Sequence, residues 1–143
     1  MSDSFQRFAR TCEQIAGTTK KLQKTAIVSD FLKSLTSDVA AISAIFLSGR
    51  PFPVWEETTL QIGGRSLWQL VADLSGRNET EIDAAYRRYG DLGGVAQEVL
   101  PQRDTPELDV LDLEQAFRKI AATRGPSAKA ALVRDLLARA TPL

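Results

Sequence analysis

Residues 12–32, CEQIAGTTKKLQKTAIVSDFL, recur without a gap as residues 117–137, FRKIAATRGPSAKAALVRDLL, at a constant shift of 105 positions. We call these segments the first arm and the second arm. Eight of the 21 aligned positions are identical, more than composition alone would give. Each arm has the pattern of a helix, a polar turn and a second helix. The identical pairs are Ile15/Ile120, Ala16/Ala121, Thr18/Thr123, Lys24/Lys129, Ala26/Ala131, Val28/Val133, Asp30/Asp135 and Leu32/Leu137.

Helical periodicity dominates the rest of the chain as well, and no convincing alternating strand is present. The spacing of Phe5 and Phe8 begins an amphipathic pattern that continues into the first arm. Thr18 or Thr19 is in position to cap the second helix of that arm. The sequence therefore predicts an all-α fold, a single multi-helix domain over residues 1–143 with an internal pseudo-two-fold helix-turn-helix repeat.

Local signals place further helix ends along the chain. Asn78 with Glu81, and Asp112 with Gln115, have the spacing of a capping box, and Asp91 can start another helix.

Two stretches depart from the helical pattern. Residues 50–65 contain two prolines and a Gly-Gly pair, which predicts an irregular loop, and we expect Trp55 to pack this loop onto the core. Thr141 and Pro142 form a helix start signal close to the last residue, so we expect the chain to be a fragment of a larger protein.

Composition describes an ordinary globular domain of 143 residues with 43% apolar residues. No apolar run is long enough to span a bilayer, and residues 1–10 lack the apolar core of a signal peptide. A single cysteine, Cys12, excludes an internal disulfide and fits a reducing compartment. These features predict a cytoplasmic protein without a membrane partner.

The net charge is zero, but the charges are unevenly distributed. Residues 1–50 hold seven basic and four acidic side chains, residues 51–115 hold five and thirteen, and residues 116–143 hold six and one. Both basic segments contain an arm, so one cationic face is possible on a neutral molecule.

The residues for catalysis are missing. The chain has no histidine, one cysteine and no GxxxxGK[ST] phosphate loop, so neither a zinc site, a Cys/His nucleophile pair nor a nucleotide loop can be formed. We predict that this chain alone has no catalytic, metal or cofactor site.

The informative feature is the charge at the helix starts of both arms. Lys20, Lys21 and Lys24 lie at the first, and Arg124 and Lys129 lie around the second. Cations there oppose the helix dipole, so they favour an external anion bound at the helix N-terminus. Two such sites predict contact with a regularly spaced polyanion, duplex nucleic acid.

The chain resembles the N-terminal DNA-binding domain of ATP-dependent DNA ligases. The resemblance covers residues 5–143 and is carried by Leu60-Gln-Ile-Gly63, by Gly90-Asp91-Leu92-Gly93 with Val95-Ala96, and by the segment from Phe117 to Thr123, FRKIAAT. The family's Lys-x-Asp-Gly motif with the adenylating lysine is absent from this sequence, as is a further DNA-contacting loop.

The resemblance implies a module that grips duplex DNA, preferably nicked, through the minor groove and the phosphate backbone, without sequence preference. Adenylation and oligonucleotide-binding-fold domains elsewhere in the parent chain would seal the nick with ATP and Mg²⁺. We expect a monomer, cytoplasmic or associated with the nucleoid. The implied DNA-contacting residues are Thr18, Thr19, Lys20, Lys21, Lys24, Thr123, Arg124, Gly125, Ser127 and Lys129. Lys24 and Lys129 are expected to occupy equivalent surface positions.

Two alternatives stay open. The acidic middle segment, residues 51–115, could serve a helical protein–protein interaction domain, whose binding would not depend on salt as phosphate contacts do. An independent small enzyme is disfavoured, because no catalytic set is present.

Overall fold

The computed structural model describes residues 4–101 and 107–142, and the regular elements within these ranges are α-helices. Within them the only strand-like pairing is an isolated bridge between Ser4 and Asp109, so the predicted all-α fold is confirmed. No helix in the described part of the chain is long and apolar enough to cross a membrane. The helices are α1 (Phe5–Ala16), α2 (Lys21–Lys33), α3 (Ser37–Leu47), α4 (Gly64–Ser75), α5 (Glu79–Tyr89), α6 (Leu92–Val99), α7 (Val110–Ala122) and α8 (Pro126–Arg139).

The chain forms two compact units, each made of two separate stretches of sequence. The first unit comprises Met1–Leu60 and Pro106–Ala121, and the second comprises Gln61–Thr105 and Ala122–Leu143. The first unit therefore holds α1, α2, α3 and most of α7, and the second holds α4, α5, α6 and α8.

Aromatic side chains form the centre of the first unit. Phe8 meets Phe31 and Phe46 edge-on, with ring centroids 6.1 and 6.0 Å apart, and Phe46 meets Phe117 of α7 at 5.5 Å. Val39 is buried in the same cluster. Edge-to-face aromatic pairs of this kind stabilise a core beyond the area they bury.

The second unit has an aliphatic core, in which α5 and α6 pack closely. The core consists of Val71, Ile82, Ala85, Val95 and Val99, each at most 4% exposed.

Glycine is required where α6 approaches the end of α5. A Cβ atom at Gly94 would lie 2.7 Å from the Cβ of Tyr89, so no larger residue fits without displacing the tyrosine. Gly90, between the two helices, has a φ of 68°, a conformation that favours glycine.

Two predicted helix starts in the second unit are confirmed. The Asn78 side chain accepts the Glu81 backbone N–H at 2.9 Å, and the Asp91 side chain accepts the Gly94 N–H at 2.9 Å. Each carboxamide or carboxylate oxygen thereby satisfies one of the donors that a helix leaves unpaired at its first turn.

The capping box predicted at Asp112 and Gln115 is wrong by three residues. In the structure Asp109 and Asp112 form the reciprocal pair: the Asp112 N–H donates to Asp109 Oδ1 at 2.7 Å, and the Asp109 N–H donates to Asp112 Oδ2 at 3.1 Å. An aspartate can replace the usual glutamate at this position, so α7 begins earlier, at Val110.

Both arms fold as helix, turn and helix in the same register. The second helices begin at Lys21 and Pro126, which are 105 positions apart, the shift of the sequence repeat. The boundary between the two units, after Ala121, falls inside the second arm. The pseudo-two-fold relation between the arms stays a prediction. At the end of the described range, Thr141 and Pro142 lie outside any helix.

Ser43 provides a test of the first unit's core. It lies in α3, is fully buried, and its hydroxyl has no hydrogen-bond partner among the described residues. Because a buried hydroxyl without a partner is destabilising and alanine is the better helix former, Ser43→Ala should raise the free energy of unfolding by about 1 kcal/mol. Urea denaturation followed by circular dichroism measures this.

The matched control is Ser48→Ala at the exposed end of the same helix, where we expect little change. A loss of stability in Ser43→Ala would show that the hydroxyl has a stabilising role.

Candidate nucleic-acid interface

The turn of the first arm is organised by Thr18. Its hydroxyl oxygen accepts the Lys20 backbone N–H at 3.2 Å, and the hydroxyl donates to Gln23 Oε1 at 2.5 Å. The prediction that Thr18 or Thr19 caps α2 is therefore wrong: the N-cap residue is Lys20, whose side chain makes no capping hydrogen bond. Thr18 stabilises the turn instead, because threonine hydroxyls readily form hydrogen bonds with groups a few residues away. Thr19 is exposed beside it.

The start of α2 is cationic, with no acidic residue in its first turn. Lys20, Lys21 and Lys24 are all exposed. The first i to i−4 hydrogen bond of α2 runs from the Lys24 N–H to the Lys20 carbonyl, at 3.0 Å. The N–H groups before Lys24 therefore have no acceptor within the helix's own hydrogen-bond pattern. The helix dipole adds roughly half a positive charge at the same place, which suits an anion such as a phosphate.

The turn of the second arm has a different chemistry. Gly125 adopts a φ of 91°, which favours glycine, and Pro126 occupies the first position of α8. Arg124 and Ser127 are exposed, whereas Thr123 is half-buried. This arm therefore offers one exposed cation at its turn where the first arm offers two adjacent lysines.

Lys129 does not occupy the surface position predicted for it. Its side chain is 6% exposed, whereas the matching Lys24 is exposed. Lys129 lies one helical turn before Val133, on the stripe of α8 that is buried, and α8 packs against α4. The expectation of two equivalent surface lysines is wrong, because the second helix of each arm packs against different neighbours.

A separate feature of the first unit was missed by sequence reasoning. The Arg118 guanidinium forms two hydrogen bonds with the Glu56 carboxylate, of 2.5 and 3.1 Å, although 62 residues separate them. Arg118 also donates to Glu114 at 2.9 Å and lies 4.4 Å from the centre of the Phe52 ring. This group, which we call the Arg118 clamp, fixes the irregular loop to α7.

The clamp shifts the pKa values of its members. Hydrogen bonding to Arg118 lowers the pKa of Glu56 below the ordinary value of a glutamate, and the two carboxylates raise the pKa of Arg118 further. Both groups are thereby held in their charged forms.

Trp55 contradicts the prediction that it packs the loop onto the core. Its side chain is 79% exposed, and the neighbouring Val54 is 72% exposed. Phe52 anchors the loop instead, at 1% exposure. A sequence pattern favours burial of any large apolar residue and could not decide between these two aromatic residues.

Comparison with known proteins assigns the chain to a protein family. A family model described as "DNA ligase N terminus" matches residues 4–143. The chain belongs to this family. The resemblance inferred from Gly90-Asp91-Leu92-Gly93 and from the Phe117–Thr123 segment is therefore confirmed.

Curated relatives carry matching names. The chain is 49% identical over 140 residues to a probable DNA ligase of Koribacter versatilis, covering 95% of this chain and 24% of that protein. It is 31% identical to a probable DNA ligase of Opitutus terrae, covering 98% of this chain and 17% of that protein. A DNA ligase of Methanopyrus kandleri is also 31% identical, with 96% and 26% covered. The chain thus spans about a quarter or less of the length of these relatives.

The two matching lysines of this DNA ligase N-terminal region should respond differently to mutation. Lys129→Ala should lower the free energy of unfolding by about 1–3 kcal/mol, because it removes a buried and interacting side chain. Lys24→Ala should stay within about 0.5 kcal/mol, because it changes an exposed residue. Thermal or urea denaturation of both variants measures the difference, and equal effects would contradict the unequal burial of the two lysines.

The Arg118 clamp predicts a pH-dependent stability. Because the pKa of Glu56 is lower in the folded state, its contribution is present above the ordinary glutamate range and is lost as the pH falls through the lowered pKa. Glu56→Gln should therefore lower the melting temperature near neutral pH and change it little in strong acid. Glu57→Gln on the same loop is the control, and a Glu56→Gln effect that is independent of pH would contradict the clamp's ionic character.

Proposed function

We propose that this chain is the DNA-binding module of a DNA ligase, which holds duplex DNA, preferably nicked, for sealing by other domains. The observation that carries the proposal is the exposed lysine cluster at the start of α2 in a chain of the DNA ligase N-terminal family. Relatives of about four times this length or more are named DNA ligases, so sealing itself belongs to a longer polypeptide.

The first arm supports contact with phosphates rather than with base edges. Lys20, Lys21 and Lys24 combine with the N-terminal end of the α2 dipole, and such contacts position a protein on DNA without reading sequence. In the second arm, Arg124 is the exposed cation at the turn, and the Gly125–Ser127 backbone forms the start of α8. Minor-groove binding and a direct role for Thr19 and Thr123 are part of the proposal as the family resemblance implies it. The resemblance also implies a role for Lys129, which we propose to be indirect because its side chain is buried.

The parent enzyme is proposed to use ATP and Mg²⁺ in adenylation and oligonucleotide-binding-fold domains. This chain supplies no adenylating lysine motif, so its contribution is the binding and orientation of the duplex. We propose a monomer that acts in the cytoplasm or at the nucleoid.

Salt dependence tests the proposal. Four exposed cations, Lys20, Lys21, Lys24 and Arg124, predict a slope of about −4 in a plot of log affinity against log salt concentration. Replacing the three lysines with alanine should make this slope less steep by about three and weaken binding to all duplex sequences alike. Fluorescence anisotropy with labelled nicked and intact duplexes measures both effects.

Lys33→Ala is the matched control, because it removes the same charge from the other end of α2. It should leave the affinity nearly unchanged, and Glu79→Ala in the acidic middle segment should leave it unchanged or slightly higher. Binding that ignores salt between about 50 and 200 mM would refute the proposal.

A further inference from the structure

The first turns of α2 are exposed on every side. Residues 21–26 are all exposed, and six consecutive residues of an α-helix cover all of its faces. The partly buried stripe of α2 begins only at Ile27. This helix end carries one large apolar side chain, Leu22, which is 85% exposed, more than any other large apolar residue in the described part of the chain. The end of α2 is therefore convex and presents an apolar group to the surroundings.

The fold does not require a leucine at position 22. The aligned residue of the second arm is Ser127, which is exposed in the same register of α8. The helix-turn-helix backbone is thus formed equally well with a small polar residue at this position. Leu22 adds little to the core, because most of its side chain meets solvent. Single exposed apolar residues are common on protein surfaces, and Leu22 is distinguished by what lies around it.

The surroundings of Leu22 carry positive charge. Residues 18–26, TTKKLQKTA, contain three lysines and no acidic residue. The nearest acidic residues along the chain are Glu13 in α1 and Asp30, about two turns further along α2. Neither forms an ion pair with these lysines among the residues that the structure describes. Leu22 therefore lies between groups that attract a polyanion such as duplex DNA.

The dimensions of duplex DNA decide what Leu22 can contact. The minor groove is about 6 Å wide, whereas an α-helix with its side chains is about 10–12 Å across. The helix end is too wide for this groove, but a single side chain is not. Lysines at the end of α2 can bind phosphates on the rims of the groove while Leu22 enters it. Leucine is one of the apolar residues that minor-groove proteins insert in this way.

We infer that Leu22 inserts into the minor groove of the bound duplex and supplies the apolar, salt-independent part of the affinity. The inference rests on the proposed function and adds a contact residue to its lysine site. Burial of an apolar side chain against the duplex releases water rather than counterions, so its response to salt differs from that of a lysine. The second arm offers a serine at the aligned position, so this contact belongs to the first arm alone.

Leu22→Ala tests the contact by fluorescence anisotropy with a labelled duplex. The variant should bind about tenfold more weakly, because about two methylene-sized groups lose their burial, and its salt slope should equal that of the parent. Leu22→Met, which keeps a large apolar side chain, should restore most of the affinity. The melting temperature of Leu22→Ala should be unchanged, because the residue is exposed.

Leu111→Ala is the matched control. Leu111 is 38% exposed and lies near the start of α7, where the Leu108 carbonyl accepts the N–H of Phe5, the first residue of α1. The lysines of the first arm follow the other end of α1. Removal of this second exposed leucine should therefore leave the affinity for DNA unchanged.

Netropsin, a small molecule that fills the minor groove of A·T-rich DNA, tests which groove Leu22 enters. The parent and Leu22→Ala carry the same charges, so the positive charge of netropsin affects both alike. On a short A·T duplex saturated with netropsin, the difference in affinity between the two proteins should disappear. A difference that persists would place Leu22 outside the minor groove and overturn the inference.

Two further results would overturn the inference and leave the proposed function intact. In the first, Leu22→Ala binds like the parent. In the second, Leu22→Ala loses salt slope together with affinity, which would show that Leu22 acts only through the lysines. In both cases the proposed function stands if replacing Lys20, Lys21 and Lys24 still makes the salt slope less steep. Binding by the parent that ignores salt would refute the proposed function and the inference with it.

Discussion

Every helix leaves its first N–H groups without partners in its own hydrogen-bond ladder, and the helices described here meet that constraint in different ways. Side chains of Ser4, Asn78, Asp91 and Asp109 satisfy such donors at the starts of α1, α5, α6 and α7. The starts of α2, α3, α4 and α8 have no capping side chain. The start of α2 differs from the others in carrying three lysines, Lys20, Lys21 and Lys24, where a helix dipole favours acids. A bound phosphate can accept hydrogen bonds from the first N–H groups of α2 and can balance the positive charge of the lysines there.

Much of the fold was predictable from local sequence. Helical periodicity, the repeat register and the caps at Asn78 and Asp91 depend on neighbouring residues, and all of them are confirmed. The burial of Lys129 depends on the packing of α8 against α4. This packing could not be predicted from the repeat, because Lys24 and Lys129 are aligned and identical in sequence. The bond between Arg118 and Glu56 spans 62 residues and has no periodic signal.

The candidate site was predictable in the same partial way. The cluster Lys20, Lys21 and Lys24 could be read from the sequence because exposure of lysine is the default for a helix start. The exposure of Trp55 could not, since it follows from the anchoring of Phe52 and Glu56 on either side. The two arms thus share a helix-turn-helix backbone but differ in their side chains. The first arm carries more exposed positive charge than the second arm.

The interleaved composition of the two units constrains how the protein is made. The first unit needs Pro106–Ala121 in addition to the first sixty residues, and the second needs the chain from Ala122 onward in addition to Gln61–Thr105. A ribosome delivers the chain from the N-terminus, so the aromatic core around Phe8 waits for α7 while most of the second unit is being synthesised. Each unit therefore becomes complete only after a stretch of the other unit has been synthesised, and closing such long loops slows folding relative to a bundle of consecutive helices.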